Sequence, residues 1–410
     1  MRIGVNCFLL RTNVGGMKQY FFSLTRELLE TDRQNEYVFF HFPHNAGELA
    51  ALENHHWQAN AVLLHNQWGV LPHLGKIDLY FCPLGVLWPR PLPVPTVVTM
   101  HDIQEVFYPQ FFTELDLYYR AWQYPGSSHM ADHVIAISHF SKETIVKHHR
   151  ISPSKVTVAH LCADERFYRA ADVARPPQVP LPEDDFIFYP ANHWQHKNHD
   201  ALLQAMQWLK TERGLRISAV FTGHDVPNSY PLAQKAADYG LTEQVYFAGY
   251  VAIEEMAYLY TQAKMLVFPS LFEGFGIPLV EAMAAGCPVV AANASSLPEI
   301  GGEAAEYFDP SSPESIGLAI EKVWRDDKLR QRMIERGRRH ALDFSATKLA
   351  QTHLAVFDKA VRSFSLVRYV WNLWIYQHCL GVPVHFKYRK VLLKWMLLRS
   401  RQMLWRPRAL

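Results

Sequence analysis

Two doubly wound α/β halves facing a central cleft, with a basic helical tail beyond them, form the architecture this sequence predicts. Three observations predict it. Apolar runs rich in Val, Ile and Phe alternate with amphipathic segments, a proline-rich break interrupts that alternation at residues 169 to 185, and the chain's net positive charge is gathered after residue 359. At 410 residues the chain also exceeds one ordinary core, since domains usually hold about 100 to 200 residues.

Taken in order, "RIGVNCFL" reads as a first buried strand. It carries one Arg, Arg11 follows closely and no small-residue cleavage site appears, which sets it apart from a signal peptide. Residues 17 to 30 and 139 to 149 have helical patterns, and between and around them "EYVFFHF", "VPTVVTMH" and "HVIAIS" read as buried strands. Near-continuous apolar strands separated by helices imply parallel pairing and βαβ units. The segment "RAADVARPPQVPLPEDD" has four prolines and few apolar residues and reads as a linker. The rhythm then resumes with "FIFYPA", "RISAVFTG", "QVYFAGY" and "MLVFPS". Open parallel sheets bind ligands beyond the carboxyl ends of their strands, so the cleft between the halves is the expected place for chemistry.

Composition excludes several classes. With 49% hydrophobic and 20% charged residues the chain is a folded globular protein, and it shows no internal repeat. Its five cysteines, Cys7, Cys82, Cys162, Cys287 and Cys379, are scattered and form no C-x-x-C pair, which points to a reducing compartment and away from a zinc site or disulfide framework. The 21 histidines include no H-x-x-x-H or H-E-x-x-H pair on a plausible helix face.

The most informative stretch is "MLVFPSLFEGFGIPLVEAMAAG", a strand, a turn and a helix. Pro278 suits the first helical turn and Gly286 its C-terminal cap. The turn's glycines allow a ligand close to the backbone, and the free N–H groups of the helix start attract an anion. Glu273 lies in the loop and Glu281 about one turn into the helix, so both can face one bound molecule. Two acceptor-only carboxylates suit the paired hydroxyls of a sugar or ribose. The plain alternative is one capping and one solvated glutamate. Gly15 and Gly16 follow a strand and open a helix, where bare N–H groups can approach phosphate, although a simple turn explains the pair equally well. His101 ends "VVTM" and faces the expected cleft, as a contact group or as a capping residue.

These residues carry a resemblance. "FPSLFEGFGIPLVEAMAAGCPVVAANASSLPEIGGEAAEYFDP", residues 268 to 310, resembles the E-x7-E region of family 4 glycosyltransferases, retaining enzymes of the two-domain GT-B fold. "NVGGMKQY" resembles the family's glycine-rich loop, "MHDIQEVFYPQFF" its His-Asp loop, "AISHFSKETI" the Ser-rich helix start that follows, and "YPANHWQHKNHDALLQA" the segment of its phosphate-binding lysine. The resemblance covers roughly residues 1 to 360. It implies an acceptor-binding half over 1 to 168, a linker over 169 to 185, a nucleotide-sugar-binding half over 186 to 345 and a helix over 346 to 363 that returns to the first half.

The resemblance also implies roles. Glu281 would hold the ribose and Glu273 would sit beside the transferred sugar, favouring positive charge at its anomeric carbon. Backbone N–H groups around Phe275 and Gly276 would complete the sugar cradle. Lys197 would neutralise the departing diphosphate, and His101 would touch the donor sugar. Asp102 would orient that ring or meet the acceptor. Many members place an arginine where this chain has Asn192, so either His196 or another residue supplies a second positive contact, or fewer charges hold the diphosphate. No D-x-D motif is present, so no metal and no cofactor beyond the nucleotide-sugar co-substrate is expected. Front-side attack with retention, and closure about the linker to exclude water, would follow. The flanking motifs most resemble members that use GDP-mannose or related deoxysugar donors. UDP-sugar transfer and a scaffold without turnover are the alternatives.

Beyond Asp358 there is no acidic residue, while residues 360 to 410 hold ten Lys and Arg. The first 359 residues therefore carry 31 basic against 39 acidic side chains. In the last segment Lys387, Lys390, Lys394, Arg401 and Arg408 fall on one side at helical spacing, with Leu392, Trp395, Met396 and Leu404 on others. The preceding "LVRYVWNLWIYQHCLGVPV" is aromatic but broken by Arg368, Asn372, Gln377, His378 and Pro383, which suits an interface better than a span. The tail over 364 to 410 is thus expected to meet an anionic membrane surface, or else to pack on the first half. Nucleic acid is not an expected partner. A peripheral protein on the inner, cytoplasmic face of the cell membrane, acting on a lipid-linked saccharide acceptor in surface polysaccharide assembly, is the resulting expectation.

Overall fold

The computed structural model describes residues 1–11, 15–50, 52, 60–224 and 231–379, the last seven of these by backbone alone. It contains two parallel sheets, the architecture expected from the sequence. The first sheet is built from β1 (Arg2–Asn6), β2 (Glu36–His41), β3 (Ala61–Leu63), β4 (Leu79–Cys82), β5 (Thr96–Met100), β6 (His133–Ala136) and β7 (Val156–Val158), in the order β3-β2-β1-β4-β5-β6-β7. The second takes β8 (Phe186–Pro190), β9 (Ser218–Thr222), β10 (Val245–Gly249), β11 (Met265–Phe268), β12 (Val289–Ala292) and β13 (Ala305–Phe308), in the order β10-β9-β8-β11-β12-β13.

Central strands such as β4, β5, β8, β11 and β12 are buried at every position. That is why they read as continuous apolar runs and not as alternating ones. In each sheet the strand order reverses at one point, between β1 and β4 in the first and between β8 and β11 in the second. Loops leaving the carboxyl ends of neighbouring strands diverge there and open a crevice.

The helices that position the site are α1 (Gly15–Thr31), α2 (Glu114–Met130), α3 (His139–His149), α4 (His199–Glu212), α5 (Ile277–Ala285), α6 (Leu297–Gly301), α7 (Ala346–Ser363) and α8 (Leu366–Cys379). Helix α7 packs against α1 and strands β4 to β6 of the first half. Its fully buried His353 meets the Tyr20 hydroxyl at 2.8 Å and lies edge-on to Phe81. Burial lowers the His353 pKa to about 4, so α7 brings a neutral ring into this core.

The segment after residue 169 differs from a pure linker. Ala170–Val173 forms a helical turn against the helix Ile253–Gln262, and Val179 and Leu181 pack on the core. Those few apolar residues suffice to hold it down despite its prolines. Helix α8 leaves Leu366, Val367, Val370 and Trp371 exposed while Arg368 pairs with Asp132. The basic positions from Lys387 to Arg408 lie outside the described residues. Among the described residues no helix is long and apolar enough to cross a membrane.

Candidate active site

A cleft of about 490 Å³ opens between the two halves, where loops from both switch points meet. Every residue singled out from the sequence lines it: Gly15, Gly16, His101, Asn192, Lys197, Glu273, Phe275, Gly276 and Glu281. His196 and Asp102 line it too.

The second half contributes two loops tied together. After β8 a single 3-10 turn, Gln195–Lys197, is closed by Asn198 in the left-handed region, φ 59°. The Asn198 side-chain amide donates to the carbonyls of Pro269 and Pro310, and the Leu271 N–H donates to the His196 carbonyl at 2.8 Å. These bonds bring Lys197 to Glu273, whose Nζ and Oε1 lie 2.5 Å apart with both side chains mostly covered.

The Glu-Gly-Phe-Gly loop is held by its backbone. Glu273 N–H donates to the Ser295 hydroxyl at 2.9 Å, and the Ser296 hydroxyl donates to the carbonyls of Glu273 and Phe275. The Phe275 ring is buried beside His160 and Phe344, which anchors the loop at the cleft. Gly276 caps α5 at φ 95°, a conformation that favours glycine. At Gly274 a Cβ would sit 2.8 Å from the His101 carbonyl oxygen, so this glycine is what lets the loop approach the first half. The Ser138 and Ser141 hydroxyls both donate to the Gly274 carbonyl, and Phe272 packs among Phe107, Tyr108 and Phe140.

Glu281 is buried on α5. Its Oε1 accepts from Gln19 of α1 and its Oε2 from the Tyr260 hydroxyl, each at 2.9 Å. Burial pushes its pKa up to about 6, with the bonds from Gln19 and Tyr260 opposing the rise. The carboxylate thus already accepts two hydrogen bonds at the mouth of the glycine pair that opens α1.

His101 is buried at the end of β5, and burial lowers its pKa. The Pro83 carbonyl, 3.0 Å from Nε2, can only accept, so Nε2 carries the proton and Nδ1 is left as the ring's acceptor. Asn192 turns its side-chain oxygen to the His224 N–H at 3.0 Å, shaping its own loop. Burial, with Lys197 beside it, lowers the His196 pKa to about 4, so without a bound anion the ring is neutral.

Sequence reasoning missed a polar group on the opposite wall. Arg120, from α2, lines the cleft with Tyr124, stacks over Phe112 with its guanidinium carbon 4.5 Å from the ring centre, and meets Glu105 at 3.4 Å. Burial pushes the Glu105 pKa up to about 7 against the pull of Arg120. No local spacing joins residues 105, 120 and 124 to a motif. Trp194, half exposed at the cleft, was likewise not singled out.

The chain is similar to known proteins in sequence and in fold. Residues 14–167 match the family model Glycosyltransferase Family 4, and residues 173–340 match Glycosyl transferases group 1. The chain is 29% identical over 252 residues to O-antigen chain mannosyltransferase B of Escherichia coli, covering 61% of this chain and 66% of that one. It is 28% identical to O-antigen chain mannosyltransferase RfbU of Salmonella typhimurium, covering 57% and 62%. The matches thus span just under two thirds of these curated relatives. In fold it is similar to Anabaena HepE solved with UDP-glucose, with TM-score 0.67 and 17% identity over 88% of this chain and all of that one.

Proposed function

Because this chain belongs to the family 4 glycosyltransferases and has their GT-B fold, we propose that it transfers a sugar from a nucleotide-diphosphate donor to a saccharide acceptor in surface polysaccharide assembly. The observation that carries this reading is the Lys197–Glu273 pair, set at the second sheet's switch point and facing His101 across the cleft. The mannosyltransferase relatives favour mannose as the transferred sugar; its carriage on GDP, and a deoxymannose-type sugar as the variant, are part of this proposal.

In this reading the donor diphosphate lies at the start of α5 and near Gly15 and Gly16, where free N–H groups and helix dipoles favour anions. Lys197 leaves Glu273 for the departing phosphate, and Glu273 then faces the anomeric carbon as it becomes positive. The neutral His101 accepts from a sugar hydroxyl through Nδ1. The acceptor approaches from the wall formed by Asp102, Arg120 and Tyr124. Its hydroxyl forms the new bond on the face that the phosphate vacates, and its proton passes to the phosphate, which gives retention. Neither a metal nor a further cofactor is needed for these steps. A lipid-linked acceptor on an anionic inner leaflet suits the exposed face of α8 and the basic tail.

The test is protection of the purified protein against thermal unfolding by GDP-, UDP-, dTDP- and ADP-sugars with chelator present, since a ligand bound only to the native state raises its stability. A rise with GDP-mannose is the expected result, a rise with UDP-sugars alone would replace the donor, and no rise with any would sink the cleft as a donor site.

The same assay carries a pH prediction for Glu281. Its folded pKa, about 6, lies above the ordinary 4.5, so its proton adds stability that is fully present below about 4.5 and lost as pH rises through about 6. Binding ribose hydroxyls needs the ionised form. Between pH 7 and 5 the protein without donor is therefore expected to gain stability from this group while donor protection falls. Glu281→Gln should remove both slopes and weaken donor binding about 10- to 100-fold. An unchanged donor profile in that variant would exclude Glu281 from the ribose site.

A further inference from the structure

A second group of ligand-type side chains lies outside the cleft, on the seam between the halves. His139 opens α3 and His160 follows β7, both in the first half, while Glu299 belongs to α6 in the second. Among the described residues these three form a group whose ligand atoms, one from each, lie within 4.8 Å of one another. Glu299 Oε1 accepts from His160 Nε2 at 2.7 Å and from the His139 N–H at 2.8 Å, and its Oε2 accepts from the Phe140 N–H at 3.0 Å. Burial acts to raise the Glu299 pKa, but the bonds from His160 and the two backbone groups outweigh it and the pKa is lowered. The carboxylate is therefore ionised and fixed in direction.

Two imidazoles and one ionised carboxylate are the donor set of Zn²⁺ and similar borderline cations. We propose that His139, His160 and Glu299 bind one such cation, and that this cation clamps the two halves together. Ligand bonds of about 2.1 Å in tetrahedral geometry place donor atoms about 3.4 Å apart. The His160–Glu299 pair opens slightly to reach that spacing and His139 closes toward it. Both rings have room, since His139 is exposed and His160 about one-third exposed. An open hollow of about 480 Å³ bordered by both histidines, and by Lys142 and Lys359, leaves room for a water as the fourth ligand. Coordination takes the Nε2 lone pair of His160, so its proton moves to Nδ1 or, from the imidazolium, is released.

The consequence follows from position. The bonds from Ser138 and Ser141 to the Gly274 carbonyl lie on the same seam, one residue from Glu273. A cation bound from both sides holds that seam shut and slows any step that needs the halves to part. No local spacing announces it, because the three ligands come from three separate elements and not from one helix face.

The test uses tag-free full-length protein. Equilibrium dialysis should show one Zn²⁺ per chain, and Co²⁺ in its place should give the visible bands of a tetrahedral N/O site. His139→Ala and His160→Ala should each weaken uptake at least 10-fold with unchanged circular dichroism. For the clamp, zinc-loaded wild type should scatter X-rays as the closed arrangement, chelated wild type and zinc-treated His139→Ala should scatter as a wider one, and turnover should fall several-fold with zinc in wild type alone. Uptake that survives both histidine variants overturns the site, and identical scattering with and without zinc overturns the clamp. Uptake and scattering do not depend on sugar transfer, so they stand or fall apart from the proposed activity, on which only the turnover readout rests.

Discussion

Glu273→Gln is expected to lower sugar transfer by about 10²- to 10³-fold, the scale on which a single group aimed at developing charge acts, while the fold and donor protection persist. The fold persists because the loop is held by its backbone bonds to Ser295 and Ser296 and not by the Glu273 side chain. Donor protection persists because Lys197 loses only a competitor for the diphosphate. Glutamine keeps the volume and can still accept from a sugar hydroxyl, but it has no charge to set against a positive anomeric carbon. The deficit should therefore appear in kcat with little change in donor KM. Measured with a labelled donor and the acceptor, transfer at the wild-type rate would remove Glu273 from the assigned role, and loss of the unfolding transition would show that the residue is structural.

The sheet core was legible in the sequence where strands are buried on both sides. "FIFYPA" and "MLVFPS" became β8 and β11, the two strands that flank the second switch point. The short edge strand Ala61–Leu63 was not legible, because half-exposed residues leave no apolar run. Four-residue β4 lies behind "KID" with no helix pattern before it, and its place beside β1 is a fact of topology alone. The site divided in the same way. Glu273 and Glu281 sit in one strand-turn-helix motif and could be found by spacing, and Lys197 by the resemblance of its segment to the family's, whereas Arg120 on α2 and Gln19 on α1 reach the cleft through packing between distant segments. The neutrality of His196 was equally invisible, since burial sets it.

Lys197→Ala is expected to show the complementary failure. Lys197 is the ammonium at the end of the β8 loop, Asn192 brings no charge, and His196 is neutral. Removing it leaves helix N-termini and backbone N–H groups to hold the diphosphate, so both ground-state binding and leaving-group stabilisation suffer. Donor protection should be lost, and kcat/KM should fall about 10²- to 10³-fold. The variant also leaves Glu273 as an unneutralised carboxylate facing the donor, which opposes the incoming phosphate. Adding Glu273→Gln to Lys197→Ala should therefore restore part of the donor protection while leaving transfer low. Such a sign of coupling is expected only of groups that share one site. If the two substitutions simply add in donor protection, Lys197 and Glu273 act on different parts of the reaction and the exchange of partners described above does not occur.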